Sequence, residues 1–510
     1  MDLLLVNNFL NENYIPNYLL NVNNKIFLYY NIQYWIKYVS RIFLFINSKY
    51  NDITNFYIKY FLHEYEKNII IINNENNENN ENNLFIYNIL NKLINYDIKD
   101  LLISNLSIVP NQKIDFNLLN CTNINETYIF TYGNKYHYNF KNKIIKTDNN
   151  NGNVVGTYLI KNYKIDQQDE KNLNINMEEF LNNLGLMNEI KLEKIIELYN
   201  INTYLHYINK HINISNNFYY DYINENNKIL KKSKNMISNN NIKKEIIFYK
   251  YIQNYEKVKY LFPKLLHFYE NAYTIEYNID YKKLLFLNNN NNTIVENEKI
   301  ILLLVNTLNI IHNTESINIS KLEFLNNLKI ETYQKIINSV KIIEPILETF
   351  PNFKKVNNVF INSFQDLIDK FSKFIFNYYD TLNINQYHLI HGNSYFSNIF
   401  INSKQNILFI EPKGYYGNTQ IYGLKDSDYS KILLSTYIYN NFTIESITND
   451  ELIFHNSKIE LSNIFIKKHF NKIHFILLVL ELFKLAEYNK NDPFTCILCY
   501  YYGLYLGTLL

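Results

Sequence analysis

The sequence predicts a three-layer α/β domain at the N-terminus, followed from about residue 213 by a second region with its own strand and helix signals. In the first 160 residues, short apolar runs bounded by polar turns alternate with amphipathic stretches. In the second region, two short apolar runs flank a polar turn directly after a loop that carries histidine, asparagine and serine. The length of 510 residues is sufficient for two or three domains with cores of their own.

The composition is that of a globular protein without a strong charge bias. Hydrophobic residues make up 47% of the chain, and 50 basic residues against 48 acidic ones give a formal charge of +2. The chain has no long basic run, so nucleic acid is not an expected partner. Every basic residue except Arg41 is a lysine, and any phosphate site must therefore use lysine and backbone donors.

The cysteines and the C-terminal run bear on compartment and membrane association. An odd set of three cysteines in a large chain fits a reducing compartment, and we expect a cytoplasmic protein without a signal peptide. Cys496 and Cys499 have C-x-x-C spacing but no second ligand pair, which favours buried structural thiols. Residues 494–510 are apolar, with Gly503 and Gly507 at G-x-x-x-G spacing. This run is shorter than the roughly 20 residues of a membrane span, so we expect a buried helix.

The first 160 residues carry identifiable strand and helix signals. Amphipathic stretches at residues 31–39 and 57–65 predict helices. The predicted strands are residues 25–30, 42–46, 69–72, 101–103 and 127–131. Three stretches, YIPNYLLNV at 14–22, FLFINSKY at 43–50 and LISNLSIVP at 102–110, resemble the sugar-phosphate nucleotidylyltransferase family. The resemblance covers about the first 210 residues and implies a Rossmann-like nucleotidyltransferase domain over residues 1–212.

Departures from that family's pattern fall on its chemical positions. Such enzymes wrap nucleotide phosphates in a glycine-rich loop after the first strand, but this chain has no glycine before Gly133. Asn17 stands where the family has a lysine, and Ser107 and Asn200 stand where its metal-binding aspartates are expected. We therefore expect a binding or packing module rather than an active nucleotidyltransferase.

The second region begins with a lysine and a glutamate at informative positions. Residues 228–233, KILKKS, predict a strand that ends in lysines, and residues 244–249, KEIIFY, predict a helix that carries Glu245. From about residue 218 the order of signals resembles the aminoglycoside phosphotransferase and choline kinase group, which has a protein-kinase-like fold. In that fold a Lys–Glu pair holds an ammonium against the nucleotide phosphates. Strand alternation and the resemblance favour Lys231 over Lys232 for this role, and Glu276 lies in a segment that resembles the hinge near adenine.

The most informative block is HGNSYFSN at residues 391–398, two short apolar strands, and EPKG at residues 411–414. It has the layout of an H-G-D-x-x-x-x-N loop followed by a strand that ends in I-D-P, but the two aspartates are Asn393 and Glu411. The resemblance implies His391 and Asn393 as catalytic positions, with Asn398 and Glu411 as magnesium ligands beside ATP. It also implies a bilobal α+β domain with an N-lobe over residues 213–286 and a C-lobe over residues 287–510.

Other residues of this region receive structural interpretations. His312 ends a run of helical periodicity and is predicted to be a core or capping residue. Asp428, in GLKDSDYSKI at residues 423–432, is predicted to be a structural anchor at a helix start. The block as a whole is similar to a subset of the group linked to surface-polysaccharide and phosphocholine metabolism, which sometimes fuses the kinase-like domain behind a nucleotidyltransferase.

The two substitutions leave two hypotheses open. Asn393 cannot accept a proton at physiological pH, and loss of a general base costs roughly a hundredfold to ten-thousandfold in rate. Glu411 keeps its charge but is one methylene longer, which weakens magnesium binding without excluding it. We favour a nucleotide- or ligand-binding pseudoenzyme, because losses in both halves fall on charged or glycine positions. The alternative is a slow ATP-dependent phosphotransferase acting on a small hydroxyl substrate: an amino sugar, choline or a surface-sugar precursor.

Overall fold

The chain divides into two compact units, Met1–Asn213 and Ile214–Leu510, which are described separately. The structure is a computed structural model. It describes residues 2–6, 16–19, 21–22, 25–74, 92–93, 96, 98, 101–105, 108–110, 127–132, 138–140, 144–146, 157–160, 187–192, 195–197, 220–225, 228–234, 236–276, 280–284, 293–382, 385–438, 440–448, 450–457 and 459–510.

The first unit contains a seven-stranded mixed sheet. Its strands are β1 Asp2–Val6, β2 Arg41–Asn47, β3 Ile69–Asn74, β4 Leu101–Asn105, β5 Thr127–Tyr132, β6 Thr157–Ile160 and β7 Met187–Leu192. Their order across the sheet is β7-β5-β6-β4-β1-β2-β3. The strands β4, β1, β2 and β3 form a parallel run, β7 is parallel to β5, and β6 is antiparallel to both β4 and β5. The helices α1 Phe27–Trp35 and α2 Asn51–Phe61 lie between the first strands in the chain, so the predicted α/β class is confirmed.

The parallel core explains the sequence of β1 and the position of the single arginine. Leu3, Leu4 and Leu5 are all fully buried, as expected for a central parallel strand covered on both faces. Arg41 lies opposite Asp2 in the register and binds its carboxylate twice, at 3.1 and 2.7 Å. This pair lies at the amino ends of the strands, whereas ligands of open α/β sheets bind at the carboxyl ends.

Local periodicity misplaced two elements of this unit. The predicted strand at residues 25–30 is wrong beyond Ile26, because α1 starts at Phe27 and buries a helical face through Trp35. The helix predicted at residues 57–65 instead runs from Asn51 to Phe61 and is followed by a 3-10 segment, His63–Asn68. The other four predicted strands are confirmed.

Short elements complete the described part of the unit. They are 3-10 turns at Asn17–Leu19 and Ser48–Tyr50, and the paired strands Asn21–Val22 with Lys25–Ile26, Ile108–Pro110 with Ile195–Glu197, and Tyr138–Phe140 with Ile144–Lys146. Of the three altered positions predicted from the nucleotidyltransferase pattern, Ser107 and Asn200 lie outside the described residues. Asn17 is described in its backbone only.

The second unit begins with a small antiparallel lobe. Its strands are β8 Tyr220–Glu225, β9 Lys228–Ser233, β10 Leu265–Phe268 and β11 Ala272–Glu276, in the order β8-β9-β11-β10. One long helix, α3 Met236–Ile252, follows β9 and packs on the sheet. A 3-10 turn at Lys259–Leu261 precedes β10. Helix α3 starts eight residues before Lys244, where the sequence pattern predicted its beginning.

The second lobe is mainly helical, which confirms the predicted bilobal α+β class. Its helices are α4 Ile294–His312, α5 Lys321–Lys329, α6 Lys335–Leu347, α7 Phe364–Thr381, α8 Lys425–Tyr437, α9 Asn463–His469, α10 Lys472–Tyr488 and α11 Pro493–Leu509. A π-helical turn, Ile330–Gln334, joins α5 to α6.

Short strands carry the loops between these helices. The strand β12 Gln386–Leu389 pairs with Ser316–Asn318 and Tyr422–Gly423, and the hairpin of β13 Ile399–Ile401 and β14 Ile407–Phe409 pairs with Lys282–Lys283. A 3-10 turn at Phe396–Asn398 leads into β13. The remaining strands are Lys355–Val356, Val359–Phe360, Tyr415–Tyr416, Thr419–Gln420, β15 Asn440–Ile447 and β16 Glu451–Ser457.

The C-terminal helix is part of the core of this lobe. A Cβ atom at Gly503 would lie 2.9 Å from the Phe483 ring, and one at Gly507 would lie 2.9 Å from Leu367, so the small-residue face packs on α10 and α7. Cys496 and Cys499 are buried free thiols, as predicted. No helix among the described residues has the length and apolarity needed to cross a bilayer.

Candidate functional site

A buried ion pair joins the sheet of the small lobe to its helix. The Nζ of Lys231 on β9 lies 3.0 Å from both carboxylate oxygens of Glu245 on α3, and Lys231 is 2% exposed. The neighbouring Lys232 is exposed, because successive side chains of a strand point to opposite faces. The hydroxyl of Tyr273, which lies opposite Lys231 on β11, donates to Glu245. The pair is therefore held in one geometry by its neighbours.

Glu411 brings a second carboxylate to the same ammonium. Its Oε2 lies 3.5 Å from Lys231 Nζ, and its backbone N–H donates to the Tyr249 hydroxyl at 3.2 Å. Burial raises the pKa of Glu245, and the negative charge of Glu411 raises it further, against the opposing effect of Lys231. One ammonium thus faces two carboxylates, which leaves excess negative charge at this end of the site.

The backbone of Glu411 is in the left-handed region, with φ of +54°. For a residue with a Cβ atom this conformation costs roughly 1–2 kcal/mol. Backbone strain of this kind persists where surrounding contacts enforce it and is concentrated at functional sites.

Asp428 anchors the loop that carries the predicted catalytic positions. It lies in the first turn of α8, is fully buried, and accepts the backbone N–H groups of His391 at 2.9 Å and Gly392 at 2.8 Å. It also accepts the Ser394 hydroxyl at 3.2 Å and lies 3.0 Å from His312 Nε2. The structural roles predicted for Asp428 and His312 are confirmed, although Asp428 acts on the loop rather than as a helix cap.

His391 lies behind this loop and does not line the cavity in front of it. Its ring is fully buried, with Nε2 donating to the Ile410 carbonyl at 3.0 Å. Nδ1 accepts the backbone N–H of Asn393 at 3.2 Å. Burial lowers the pKa of His391 to about 4, so the ring is neutral. Through these contacts His391 positions the loop, and its ring is not part of the cavity lining.

Asn393 is tied directly to the backbone of Glu411. Its side-chain Nδ2 donates to the Glu411 backbone carbonyl at 3.0 Å, while the backbone carbonyl of Asn393 accepts from Asn398 Nδ2 at 2.9 Å. Because a carbonyl oxygen only accepts hydrogen bonds, the group facing it must be the amide and cannot be an ionised carboxylate. The hydrogen bond at this position therefore requires the amide of asparagine and not an ionised aspartate.

A cavity of about 560 Å³ brings most of the predicted site residues together. It is lined by Lys231, Glu245, Asn393, Asn398 and Glu411. The exposed Glu276, at the end of β11, lies instead on a different cavity of about 510 Å³, beside Gln253 and Tyr281. The hinge residue that follows Glu276 is outside the described residues.

The cavity of about 560 Å³ also has a charged end, which was not predicted from the sequence. Two acidic and four basic side chains line it: Glu331, Lys335, Lys413, Lys431, Glu481 and Lys484. Two signals were present in the sequence: the pair Glu331 and Lys335 at i,i+4, where an amphipathic helix begins, and the pair Glu481 and Lys484 at i,i+3 inside the mainly apolar helix α10. Helical neighbours of this kind are usually solvated, so spacing alone did not mark a site.

The donor set fits magnesium that is shared with a nucleotide. Among the described residues, no group of three or more histidine, cysteine or acidic side chains could hold a metal ion. Asn398 and Glu411 supply an amide and a carboxylate to one cavity. Magnesium is commonly bound by one or two carboxylates together with substrate phosphates. Asn398 and Glu411 would hold the ion, which would neutralise phosphate charge when bound.

Comparison with known proteins gives matches among solved structures alone. No protein-family model matches the sequence, and no curated protein matches it. Similar structures include an ADP-bound aminoglycoside phosphotransferase, APH(2″)-Ib, with 15% identity, 59% of this chain and 96% of that chain covered, and a TM-score of 0.32. Choline kinase from Streptococcus pneumoniae has 9% identity, covers 58% and 91% of the two chains, and has a TM-score of 0.35.

A nucleotidyltransferase is also among these structures. The inositol-1-phosphate CTP transferase from T. maritima has 11% identity, covers 40% of this chain and 90% of that chain, and has a TM-score of 0.30. The matches thus include a nucleotidyltransferase as well as an aminoglycoside phosphotransferase and a choline kinase, the two groups that the sequence resembles. The function proposed for this protein rests on the geometry of its own site.

Proposed function

We propose that the second unit binds a nucleoside triphosphate with magnesium in the cavity around Lys231 and acts as a ligand-binding pseudoenzyme. The observation that carries this proposal is the buried Lys231–Glu245 pair, which lies on one cavity with Asn398 and Glu411. In kinase-like phosphoryl transfer, such a lysine contacts the phosphates and the carboxylate and amide hold the metal. The residues needed to bind the nucleotide are therefore retained.

The base position supports binding without efficient transfer. Asn393 is a neutral amide, and its Nδ2 donates to the Glu411 carbonyl instead of presenting a proton acceptor to a substrate hydroxyl. General-base assistance, worth roughly 10²–10⁴ in rate, is therefore lacking. For the first unit, the losses at Asn17, Ser107 and Asn200 support a binding or packing role without nucleotidyl transfer.

Thermal unfolding of the full chain with ATP, with and without magnesium, tests nucleotide binding. A ligand at 100 times its dissociation constant stabilises the native state by about 2.7 kcal/mol. We expect magnesium-dependent stabilisation of the native protein that is lost in Lys231→Gln. The matched control is Lys232→Gln, which changes the exposed neighbouring lysine and should keep the effect. Equal stabilisation of native protein and Lys231→Gln, or none in either, would overturn the proposal.

A slow phosphotransferase is the second candidate function. It is favoured by the left-handed backbone of Glu411, which keeps its carboxylate near Lys231 despite the strain. Under this alternative, restoring Asn393→Asp and Glu411→Asp together should raise ADP formation by roughly 10²–10⁴ over the native rate. If neither the native protein nor the double variant forms ADP with any small hydroxyl acceptor, this candidate is excluded.

A further inference from the structure

At one end of the cavity, lysine ammoniums outnumber the carboxylates beside them. We call this set the lysine cluster; it comprises Glu331, Lys335, Lys413, Lys431, Glu481 and Lys484. With every group ionised, four positive and two negative charges leave a net charge of +2 on these lining residues. The cluster adjoins the base position, because a Cβ atom at Gly392 would lie 2.8 Å from the Cβ of Lys413.

Glu331 is already saturated by groups of the protein. It lies in the π-helical turn between α5 and α6 and is 2% exposed. It accepts from Lys413 Nζ at 3.0 Å, from the backbone N–H of Gly417 at 2.8 Å, and from Lys335. π-Helical turns often occur at functional sites, since they displace a side chain from the regular helical face.

Glu481 on α10 is saturated in the same way. It accepts from Lys484 Nζ at 2.7 Å and from the Tyr395 hydroxyl at 3.0 Å, and Lys431 Nζ lies 3.8 Å away. Two carboxylates are therefore divided among four ammoniums. An incoming anionic group could therefore accept hydrogen bonds from these ammoniums without displacing either glutamate.

Burial lowers the pKa of two of the four lysines, Lys335 and Lys431, whereas, against the opposing effect of burial, Glu331 raises the pKa of Lys413. Burial lowers the pKa of Lys335 to about 8, and repulsion from Lys413 adds to the effect. Burial also lowers the pKa of Lys431 to about 8, which attraction to Glu481 only partly opposes. The side chains of Lys335, Lys413 and Lys484 are 34%, 22% and 24% exposed, and all three line the cavity.

We propose that the lysine cluster binds a small anionic molecule, carrying a phosphate or carboxylate group, next to the nucleotide. The inference rests on the proposed function, since it takes the Lys231 end of the cavity to hold the nucleotide. It replaces the cationic acceptors, choline and amino sugars, that the sequence resemblance implied. Tyr415, one of the aromatic residues that line this cavity, already has Lys244, Lys413 and Lys335 at 3.7, 4.6 and 4.8 Å from its ring centroid. Because lysines already face this ring, a quaternary ammonium placed against it would meet like charge.

Isothermal titration of the full chain with glycerol 3-phosphate, inorganic phosphate and choline tests this inference. The titrations are made with and without a non-hydrolysable ATP analogue and magnesium. We expect the two anions to bind and choline not to bind. Lys335→Gln and Lys484→Gln should each weaken anion binding by about tenfold to a hundredfold, the usual range for one charge-assisted hydrogen bond. Each glutamate keeps another lysine partner in these variants, so the fold is retained. The matched control, Lys243→Gln, removes an exposed lysine that is paired with Glu270 and should leave binding unchanged.

The outcomes separate this inference from the proposed function. If the nucleotide analogue binds but the anions do not, or if they bind Lys335→Gln and Lys484→Gln as tightly as native protein, the anion site is refuted and the proposed function stands. If the anions bind through the cluster while the analogue does not bind, the anion site is supported and the proposed function fails. If both variants weaken the analogue as much as the anions, the lysines belong to the nucleotide site and the inference is refuted.

Discussion

Replacing Asn393 with aspartate would test whether the base position is adapted to an amide. The Asn393 Nδ2 donates to the Glu411 carbonyl at 3.0 Å in a partly buried setting. An ionised carboxylate would remove this hydrogen bond and place an acceptor against an acceptor. Loss of a hydrogen bond that leaves a buried polar group unsatisfied costs about 1–3 kcal/mol. Each kcal/mol lowers Tm by about 2–4 °C in a domain of this size class, so we expect Tm to fall by several degrees at neutral pH.

The pH dependence gives this prediction its sign. A protonated aspartate can donate to the Glu411 carbonyl, so the deficit of Asn393→Asp relative to native protein should shrink as pH falls toward about 4. The assay is calorimetric unfolding of the full chain at several pH values. The matched control is Asn402→Asp, because Asn402 Oδ1 accepts from the backbone N–H groups of Lys404 and Asn406 and a carboxylate can do the same. The reasoning would be refuted if Asn393→Asp were as stable as native protein at neutral pH, or if the difference in Tm between the two proteins did not change with pH.

Three further predictions concern stability and pH. Because the folded-state pKa of His391 is lowered from 6.5 to about 4, the stability from its neutral form is complete above pH 6.5 and is lost as pH falls through 4. In urea unfolding, His391→Gln should therefore reduce the dependence of the free energy of unfolding on pH in this range. The same pH dependence in both proteins would contradict this prediction. Gly392 has φ of +75° and a Cβ would meet Lys413, so Gly392→Ala should lose about 1–3 kcal/mol in the same assay, and native stability would contradict the strain. The folded-state pKa of Lys431 is lowered from 10.5 to about 8, because its charged form is disfavoured by burial. Lys431→Gln should therefore gain stability relative to native protein below pH 8 and lose that gain by pH 10.5. A stability difference between the two proteins that does not change with pH would contradict this prediction.

The kinase-like part of the site could be predicted because its residues belong to short local patterns. A strand that ends in lysine, a helix that carries Glu245, and a loop that carries Asn393 and Asn398 are each recognisable within ten residues of sequence. Their order along the chain restricts the fold, and the structure brings Lys231, Glu245 and Glu411 together. Alternation in the strand, together with the family resemblance, favoured the lysine that is buried over its exposed neighbour.

The lysine cluster could not be predicted in this way, because tertiary packing assembles it. Glu331 and Lys413 are 82 residues apart and Tyr395 and Glu481 are 86 apart, and they meet only when the helices of the second lobe pack. The orientation of His391 could not be predicted for a related reason, since a sequence does not show that the ring faces the Ile410 carbonyl. In the first unit, residues 25–30 are apolar enough for a strand, but the burial of a helical face that ends at Trp35 decides the structure.

Isothermal titration of ATP into the full chain tests whether the cavity around Lys231 binds a magnesium nucleotide. The titrations compare native protein with Glu411→Gln, each in the presence of magnesium and of a chelator. Glu411 lines the cavity beside Asn398 and lies 3.5 Å from Lys231 Nζ. The geometry predicts one magnesium-dependent site in the native protein, and loss of that magnesium dependence in Glu411→Gln, because the neutral amide is a poorer ligand for a hard cation. Binding of ATP to native protein and Glu411→Gln with the same affinity and the same response to magnesium would contradict it.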